Sequence, residues 1–468
     1  MITPTLDPQF VPAVIWNRSF KAKVANDPDA RNLDISVSRL DGTSFRFSTK
    51  ILNPKDESES LNFRYVERLV KFLLWAKGGS HVFISGDDRL TKKIAALYTR
   101  KGERHFDRDT LGRKVFGEPV TVLPVHLSHL PDDTESAVHL GKNLDGCRIG
   151  FDLGGSDRKC AAVIDGEVVF SEEIPWDPYF QSDPDYHLEG IEKCLKTAAS
   201  HLPQVDAIGG SSAGIYINNK VRLASLFRGV TDENLFKDRV ESMFTDIVDK
   251  NYLGAPFEIA NDGDVTALAG SMSMNTDGVL GIAMGTSQAV GYVNGKGQVT
   301  RRINELAFAP VDYRESGPVD EWSGDQGCGV QFFSQQGVAR LSGAAGFEFE
   351  GLSFPEQLIE VQNAMKSGDD RARNIYDTLG VCFGYTIAHY AEFYDINTLI
   401  VMGRVVSGSG GDLLIERARD VLRAEFPELA EKIDLVVPDE KMKRHGQAIA
   451  AASLPDLKGG AAVSKRPK

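Results

Sequence analysis

The sequence predicts an α/β protein, and three observations carry this prediction. Strand-like and helix-like segments alternate from about residue 147 to residue 457. Two apolar runs end in the glycine turns Gly154-Gly155 and Gly285-Thr286, and each turn opens a second strand. A third run, residues 396–402, leads through a glycine-rich loop into a helix from about Asp412. Such alternation is typical of a largely parallel sheet that is covered by helices.

Length and charge limit the possible classes of protein. The chain has 468 residues, which is enough for two to four domains, and 42% of them are hydrophobic. The net charge is −13, although residues 1–146 carry 22 Lys and Arg against 19 Asp and Glu. The rest of the chain is therefore strongly acidic, and we expect no nucleic-acid partner.

The sequence also bears on location. The first residues lack a basic segment followed by an apolar one, so we expect no signal peptide. No apolar run approaches the roughly 20 residues that cross a bilayer, so we expect no membrane partner. The 5 cysteines are scattered without a C-x-x-C pair, which fits a reducing compartment. These features predict a cytoplasmic protein.

Residues 1–146 are predicted to form a separate α+β domain. An apolar stripe through Tyr65, Leu69 and Phe72 predicts a helix over residues 59–77, and residues 81–85 and 120–125 have the pattern of short strands. His105, Asp107 and Asp109 lie close in sequence, but nothing around them resembles a metal site. Residues 131–136 have the composition of a linker.

The stretch Ile149–Lys159 carries the first chemical signal. An apolar strand ends at Asp152, and Gly154 and Gly155 allow the backbone N–H groups of the turn to approach a phosphate. Asp152 is placed to hold Mg²⁺ through water. The turn opens a strand, which excludes a dinucleotide fingerprint, and the P-loop pattern is absent. The alternative is a plain hairpin.

Two further segments add to this signal. A strand ends at Asn261-Asp262 and a helix begins within two residues, so Asp262 is either a helix cap or a catalytic group. Residues 278–297 repeat the strand, glycine turn and strand of the opening stretch. Two such units suggest two lobes that hold one phosphate chain from opposite sides. The glycine-rich loop from Gly403 to Gly411 suits a flat ligand such as adenine.

In this order, the segments resemble the ROK family of sugar kinases and sugar-responsive repressors. The resemblance covers about residues 147–457 and implies the two-lobed, ribonuclease-H-like fold of actin and hexokinase. It implies a small lobe over 147–260, joined by a C-terminal helix at about 443–455, and a large lobe over 261–442. The tail, residues 458–468, is predicted to be disordered.

The resemblance also implies functional residues. Asp262 takes the position of the catalytic base. The positions that match the family's sugar-binding motifs are Asn261, Glu305, Ala213 and Gly214. The positions that match its nucleotide-binding motifs, together with the predicted adenosine loop, are Asp152, Gly154, Gly155, Ser156, Gly285, Thr286, Ser287, Gly403 and Arg404.

The sequence departs from the family at several positions. The family's structural zinc ligands correspond to Phe308, Glu321, Ser323 and Cys328, so no structural zinc is expected. Val330 replaces a glutamate that often contacts the sugar. The second phosphate loop lacks three family glycines, at Ser287, Ala289 and Val290. Residues 1–146 do not show the winged-helix pattern of the family's repressors.

Together these features predict an ATP- and Mg²⁺-dependent kinase that phosphorylates a hexose or a hexose derivative. Asp262 would accept the proton of the attacking hydroxyl group. The alternative is a non-catalytic sugar-sensing regulator or a kinase-like binding protein. In a third interpretation, residues 1–146 form an oligomerisation or lid domain on a working kinase. The resemblance implies a homodimer.

Overall fold

The structure is a computed structural model, and it describes residues 1–134, 140–438 and 440–457. The tail that was predicted to be disordered, residues 458–468, lies outside the described residues. Within the described part of the chain, no helix combines the length and the hydrophobicity that a bilayer crossing requires.

The strands and helices follow the predicted alternation. The strands are β1 Arg31–Ser38, β2 Ser44–Ile51, β3 His81–Ser85, β4 Thr121–Pro124, β5 Cys147–Leu153, β6 Asp157–Ile164, β7 Glu167–Pro175, β8 Ala207–Ser212, β9 Ile215–Ile217, β10 Lys220–Leu223, β11 Phe257–Asn261, β12 Val279–Met284, β13 Gln288–Val293, β14 Thr398–Met402 and β15 Asp434–Val436. The α-helices are α1 Ala13–Ala25, α2 Asp56–Lys77, α3 Asp88–Leu97, α4 Pro184–Ala199, α5 Glu233–Arg239, α6 Met243–Asn251, α7 Asp262–Met274, α8 Gln335–Ala344, α9 Phe354–Lys366, α10 Asp370–Tyr390, α11 Ser409–Glu425, α12 Pro427–Lys432 and α13 Glu440–Ala452.

The chain divides into two compact units. Among the described residues, the larger unit contains 1–134, Ile282–Val290 and Arg301–Val436, and the smaller unit contains 140–281, Gly291–Thr300 and 437–457 except residue 439. Residues 1–134 therefore share a unit with later segments, whereas the sequence predicted a separate domain over 1–146. Helix α7, predicted in the large lobe, lies in the smaller unit, as does α13.

The smaller unit is built on a five-stranded sheet in the order β11-β8-β5-β6-β7. Strand β8 pairs in parallel with both β5 and β11, and β5, β6 and β7 form an antiparallel meander. Helix α13 packs directly on β5 and β8, where an added Cβ would lie 1.8 Å from the carbonyl oxygen of Ala448 at Gly150, and 1.7 Å from that of Ala451 at Gly209. The small residues of strand and helix are thus required for this close approach.

Residues 1–134 contact later segments of the larger unit. Their four-stranded sheet has the order β2-β1-β3-β4, and the apolar face of α2 contacts later segments of the same unit. The ring of Phe72 stacks on Phe393 at 4.1 Å between centroids, and the ring of Trp75 lies 4.5 Å from that of Phe308. Residues 56–77 therefore belong to the same hydrophobic core as residues after 301.

A buried cluster of charges lies beside these aromatic rings. Asp325 is 5% exposed, and its carboxylate pairs with Lys71 at 3.0 Å and with Arg68 at 3.2 Å. Asp107 is also buried and pairs with Lys71 at 3.2 Å. Of the three polar residues noted in the sequence at this point, Asp107 thus forms a buried ion pair, whereas His105 is exposed. Among the described residues, no group of acidic, histidine or cysteine side chains is arranged to hold a metal ion.

Candidate functional site

The parallel strands of the smaller unit bring the predicted polar residues to one edge of the sheet. Asp152 near the end of β5 is in register with Ser211 of β8, and Ser212 of β8 is in register with Asn261 of β11. Ligands of open α/β sheets bind beyond the carboxyl ends of the strands. The register therefore places the end of the opening stretch and the Asn261-Asp262 pair at the same edge.

Asp152 is a buried carboxylate with two polar partners. The hydroxyl of Ser211 donates a 2.6 Å hydrogen bond to Asp152 Oδ1, and Lys159 Nζ lies 3.8 Å from Oδ2. Burial raises the pKa of Asp152, and the hydrogen bond and the lysine only partly oppose this effect. Lys159 also pairs with Asp157 at 3.2 Å. Asp152 keeps oxygen lone pairs that could hold Mg²⁺ through water.

The turn after Asp152 is held by aromatic residues. The N–H of Gly154 donates to the carbonyl of Asp157 at 2.9 Å, so it is not available to a phosphate. The indole Nε1 of Trp176 donates to the carbonyl of Gly154 at 2.8 Å. An added Cβ at Gly155 would lie 2.1 Å from Tyr179 Oη, so a side chain there would displace the tyrosine ring. Ser156 is exposed, and its hydroxyl donates a hydrogen bond to the carboxylate of Asp157.

Asp262 is the first residue of α7, and its environment disfavours its charge. One carboxylate oxygen accepts the N–H of Gly263 at 3.0 Å. Burial and the negative charge of Asp152 together raise the pKa of Asp262 to about 6, against the lowering effect of that hydrogen bond. A carboxylate with a pKa near 6 is suited to accept a proton near neutral pH.

The neighbouring residues Asn261 and Gly214 form a fixed support. Asn261 Nδ2 donates to the carbonyl of Gly214 at 2.7 Å, while Asn261 Oδ1 accepts the N–H of Gly263 at 2.8 Å and caps α7. Gly214 has φ of 138°, and an added Cβ would lie 2.5 Å from the carbonyl oxygen of Leu223. Ala213 precedes it and is half-buried. In this structure the side chain of Asn261 fixes the backbone on both sides of the site.

Two residues of this site were not predicted. Ser211 bonds Asp152, and its position at the end of a buried strand was the only sequence signal. Tyr216 lies on β9, and its pKa is raised by burial and by the charge of Asp262. Its hydroxyl therefore lies within electrostatic reach of the predicted base, which no sequence pattern indicated.

The remaining predicted residues lie in the larger unit. Thr286 and Ser287 are exposed, and the N–H of Gly285 donates to the carbonyl of Ser287 at 2.9 Å. The carbonyl of Gly285 accepts the N–H of Gln335, the first residue of α8. The turn is thus fixed at its first residue and leaves two hydroxyl side chains accessible.

The glycine-rich loop after β14 lies against this turn. Gly403 has φ of 105°, and an added Cβ would lie 2.3 Å from the carbonyl oxygen of Met284, so glycine is required. Arg404 is exposed, and its carbonyl accepts the side chain of Gln362 at 2.8 Å. Gly285 and Gly403 are thus brought together at the ends of β12 and β14.

Glu305 is positioned by helix α2. The N–H of Glu305 donates to the carbonyl of Trp75 at 2.9 Å, and that of Asn304 donates to the carbonyl of Ala76 at 3.1 Å. Asn304 is buried with φ of 52°, and its side chain accepts the hydroxyl of Tyr394 at 3.0 Å. These bonds satisfy carbonyl groups in the last turn of the helix. The N-terminal region therefore supports a predicted sugar-binding residue.

The four positions that correspond to zinc ligands do not offer a zinc site. Phe308 packs on Trp75, Glu321 is exposed, and the hydroxyl of Ser323 donates to Asp320. Cys328 is fully buried, and burial raises its pKa, which disfavours the thiolate that zinc requires. The residues at these positions do not fit the metal.

Comparisons with known proteins reveal similarity in structure alone. No protein-family model matches the chain, and no curated protein sequence matches it either. The ROK hexokinase from Thermus thermophilus is 18% identical and aligns with a TM-score of 0.53 over 67% of this chain and 98% of its own. A ROK family transcriptional regulator, a homologue of the E. coli MLC protein, is 20% identical with a TM-score of 0.50 over 74% and 82%.

A ROK family glucokinase from Streptomyces griseus, in complex with glucose and AMPPNP, is 19% identical and covers 66% of this chain and 99% of its own, with a TM-score of 0.47. The hexokinase and the regulator, which align with TM-scores of 0.53 and 0.50, confirm the predicted resemblance at the level of fold and over about the predicted share of the chain. Over about two thirds of its length, the chain has the fold of the ROK sugar kinases and regulators.

Proposed function

We propose that the protein transfers the terminal phosphoryl group of ATP to a hydroxyl group of a hexose or a hexose derivative. The observation that carries this proposal is the environment of Asp262, whose pKa is raised to about 6 by burial and by Asp152. A general base needs a pKa near the working pH. Asp262 also follows β11, and ligands of open α/β sheets bind beyond the carboxyl ends of the strands.

The residues of the smaller unit supply the proposed acceptor chemistry. Asp262 accepts the proton as the sugar oxygen attacks the γ-phosphorus in line. Asn261 caps α7 and thereby fixes the direction of the Asp262 carboxylate. The helix N-terminus favours the ionised base, while burial keeps it basic enough to take a proton. Glu305 of the larger unit is the proposed hydrogen-bond acceptor for a sugar hydroxyl.

The proposed nucleotide contacts come from the glycine turns. Ser156 and the backbone after Gly154 would bind phosphate oxygens, as would the exposed hydroxyls of Thr286 and Ser287. The loop at Gly403-Arg404 would bind the adenosine. Asp152 would hold Mg²⁺ through water, and the ion would neutralise charge on the phosphates. These residues would orient the phosphoryl donor, ATP, and Asp262 would accept the proton of the sugar hydroxyl.

A coupled ADP-release assay with Mg-ATP and a panel of hexoses, hexosamines and N-acetylhexosamines tests the proposal. We expect sugar-dependent turnover that falls by about 10²–10⁴ in Asp262→Asn. Asp238→Asn is the matched control, because Asp238 is an exposed residue of α5 in the same unit. Turnover in Asp262→Asn that equals the wild type would exclude Asp262 as the base.

A sugar-sensing regulator is the second candidate, because the ROK regulator aligns with 74% of this chain, a larger share than the hexokinase does. Salt-dependent binding to DNA, measured from low to high ionic strength without ATP, would favour it. The absence of sugar-dependent ADP release with every sugar of the panel, together with a sugar-induced rise in melting temperature, would also favour the regulator over the kinase.

A further inference from the structure

The loop beside the first phosphate turn carries an arginine that the mechanism above does not use. The guanidinium carbon of Arg228 lies 4.2 Å from the ring centroid of Tyr179 and 4.8 Å from that of Phe180. Tyr179 Oη in turn lies against Gly155 of the turn, where an added Cβ would be 2.1 Å away. A chain of direct contacts thus leads from Gly155 through Tyr179 to Arg228.

The position of Arg228 is fixed from both sides. The buried His187 has its Nε2 atom 3.2 Å from the carbonyl of Pro178 and 2.9 Å from that of Leu226, and a proton on Nε2 would join the two loops. An added Cβ at Gly229 would lie 2.4 Å from the carbonyl oxygen of Gln181. The segment that carries Arg228 is therefore packed tightly on the segment that carries Tyr179.

The charge of Arg228 is not neutralised within the described residues. Arg228 is exposed and forms no ion pair in residues 1–134, 140–438 and 440–457. This is notable because acidic residues outnumber basic residues in the chain after residue 146. By contrast, Arg222 and Arg239 in the same unit each pair with a carboxylate. Stacking on an aromatic ring leaves the N–H edge of a guanidinium free to bind an oxyanion in a planar, bidentate manner.

Phe180 supports this interpretation. Its side chain is 76% exposed, and the centroid of its ring lies 4.8 Å from the guanidinium carbon of Arg228. The ring contacts Arg228 and so restricts the rotamers of a long side chain. Two aromatic rings and a tightly packed backbone thereby hold one unpaired cation in place beside a turn whose serine is exposed.

We infer that Arg228 is an oxyanion-binding residue of the ligand site at the first phosphate turn. Its guanidinium binds a phosphate or carboxylate group of a ligand that also contacts Gly155 and Ser156. The source of the oxyanion is either the phosphate chain of the nucleotide or an acidic group on the acceptor. This inference deepens the proposed function, on which it rests, because it assigns a charged ligand contact to the loop at residues 224–230.

Calorimetric titration of the full-length protein tests this without turnover. The probes are magnesium tripolyphosphate and Mg-ATP for the nucleotide source, and glucuronate against glucose for the acceptor source. We expect Arg228→Gln to weaken binding of one oxyanion by about 10- to 100-fold, with glucose binding and melting temperature unchanged. Arg228→Lys keeps the charge but lacks the planar guanidinium group with its parallel N–H donors, so we expect a smaller loss of oxyanion affinity.

Arg239→Gln is the matched control, because it removes the same charge from an exposed arginine on α5. Weaker tripolyphosphate binding assigns the site to the phosphate chain, and weaker glucuronate binding assigns it to the acceptor. A wild type that binds no oxyanion, or an Arg228→Gln variant that binds all of them like the wild type, would overturn the inference. Loss of sugar phosphorylation alone, with Arg228-dependent binding retained, would defeat only the kinase proposal.

Discussion

The carboxylate of Asp152 raises the pKa of Asp262, although the two residues are 110 positions apart in the sequence. Asp152 lies near the end of β5 and Asp262 follows β11, and β8 pairs with both strands in parallel. Asp152 is itself buried and bonded to Ser211 at 2.6 Å. The proposed base and the proposed magnesium residue are thus electrostatically coupled, and this coupling leads to the first two predictions.

The rate of the proposed kinase should depend on the ionisation of Asp262. Because its pKa is about 6, we expect kcat/KM to fall about tenfold per pH unit below pH 6 and to level off above it. Removing the negative charge in Asp152→Asn should lower the pKa of Asp262, so that the midpoint of the residual activity moves to lower pH. A midpoint that stays near pH 6 in Asp152→Asn would contradict the coupling.

The ionised form of Asp262 should also lower the free energy of unfolding at neutral pH. Its pKa is about 6 in the folded protein, whereas the pKa of an aspartate in an unfolded chain is about 3.9, so ionisation opposes folding. The penalty is absent below about pH 4, grows as the pH rises to 6, and is complete above it. We expect Asp262→Asn to raise the free energy of unfolding by up to about 3 kcal/mol at pH 7. Urea unfolding at pH 4 and pH 7 checks this, and equal gains at both values would refute it.

The buried cluster around Asp325 should be essential to the fold of the larger unit. Asp325→Asn removes the buried carboxylate that Arg68 and Lys71 share and leaves each of them with one carboxylate, Glu67 and Asp107 respectively. We expect a loss of about 3–5 kcal/mol in the free energy of unfolding. Glu315→Gln is the control, because Glu315 is 90% exposed and pairs with Arg64. That change should cost less than about 1 kcal/mol. Denaturant titration of both variants measures the contrast.

The start of α7 should not tolerate a side chain at Gly291. An added Cβ there would lie 2.1 Å from the backbone of Gly263, next to Asp262. Gly291→Ala should therefore displace the proposed base and reduce both kcat and melting temperature. At Gly343 in α8 an added Cβ meets nothing within 4 Å, so Gly343→Ala should stabilise the protein by about 0.5–1 kcal/mol. Equal activity in the two variants would contradict the steric argument.

Deletion of residues 1–134 should prevent folding of the larger unit. The deletion removes Phe72 and Trp75 from their contacts with Phe393 and Phe308, and it removes the carbonyls that position Glu305. It also leaves Asp325 without Arg68 and Lys71. We expect a chain that begins at residue 135 to be aggregated or unfolded in gel filtration and circular dichroism. A folded, monodisperse product would support the separate domain that the sequence predicted.

The sequence by itself determined the local elements and indicated the candidate residues for the chemistry. Apolar runs of a few residues beside glycine turns define β5, β12 and β14, and the stripe on α2 predicts residues 59–77 against an observed Asp56–Lys77. The predicted strand at residues 81–85 is confirmed as β3. These features are set by neighbours in sequence, through periodicity, turn geometry and helix capping.

Only the tertiary structure decided how distant segments combine. The pairing of β5 with β8 and β11 brings Ser211 to Asp152, and the packing of α2 on Phe308 joins the N-terminal region to the larger unit. The position of Arg228 between Tyr179 and Phe180 depends on loops that meet only in the folded chain. Burial and long-range charge act through space, so a pattern of neighbouring residues cannot reveal them.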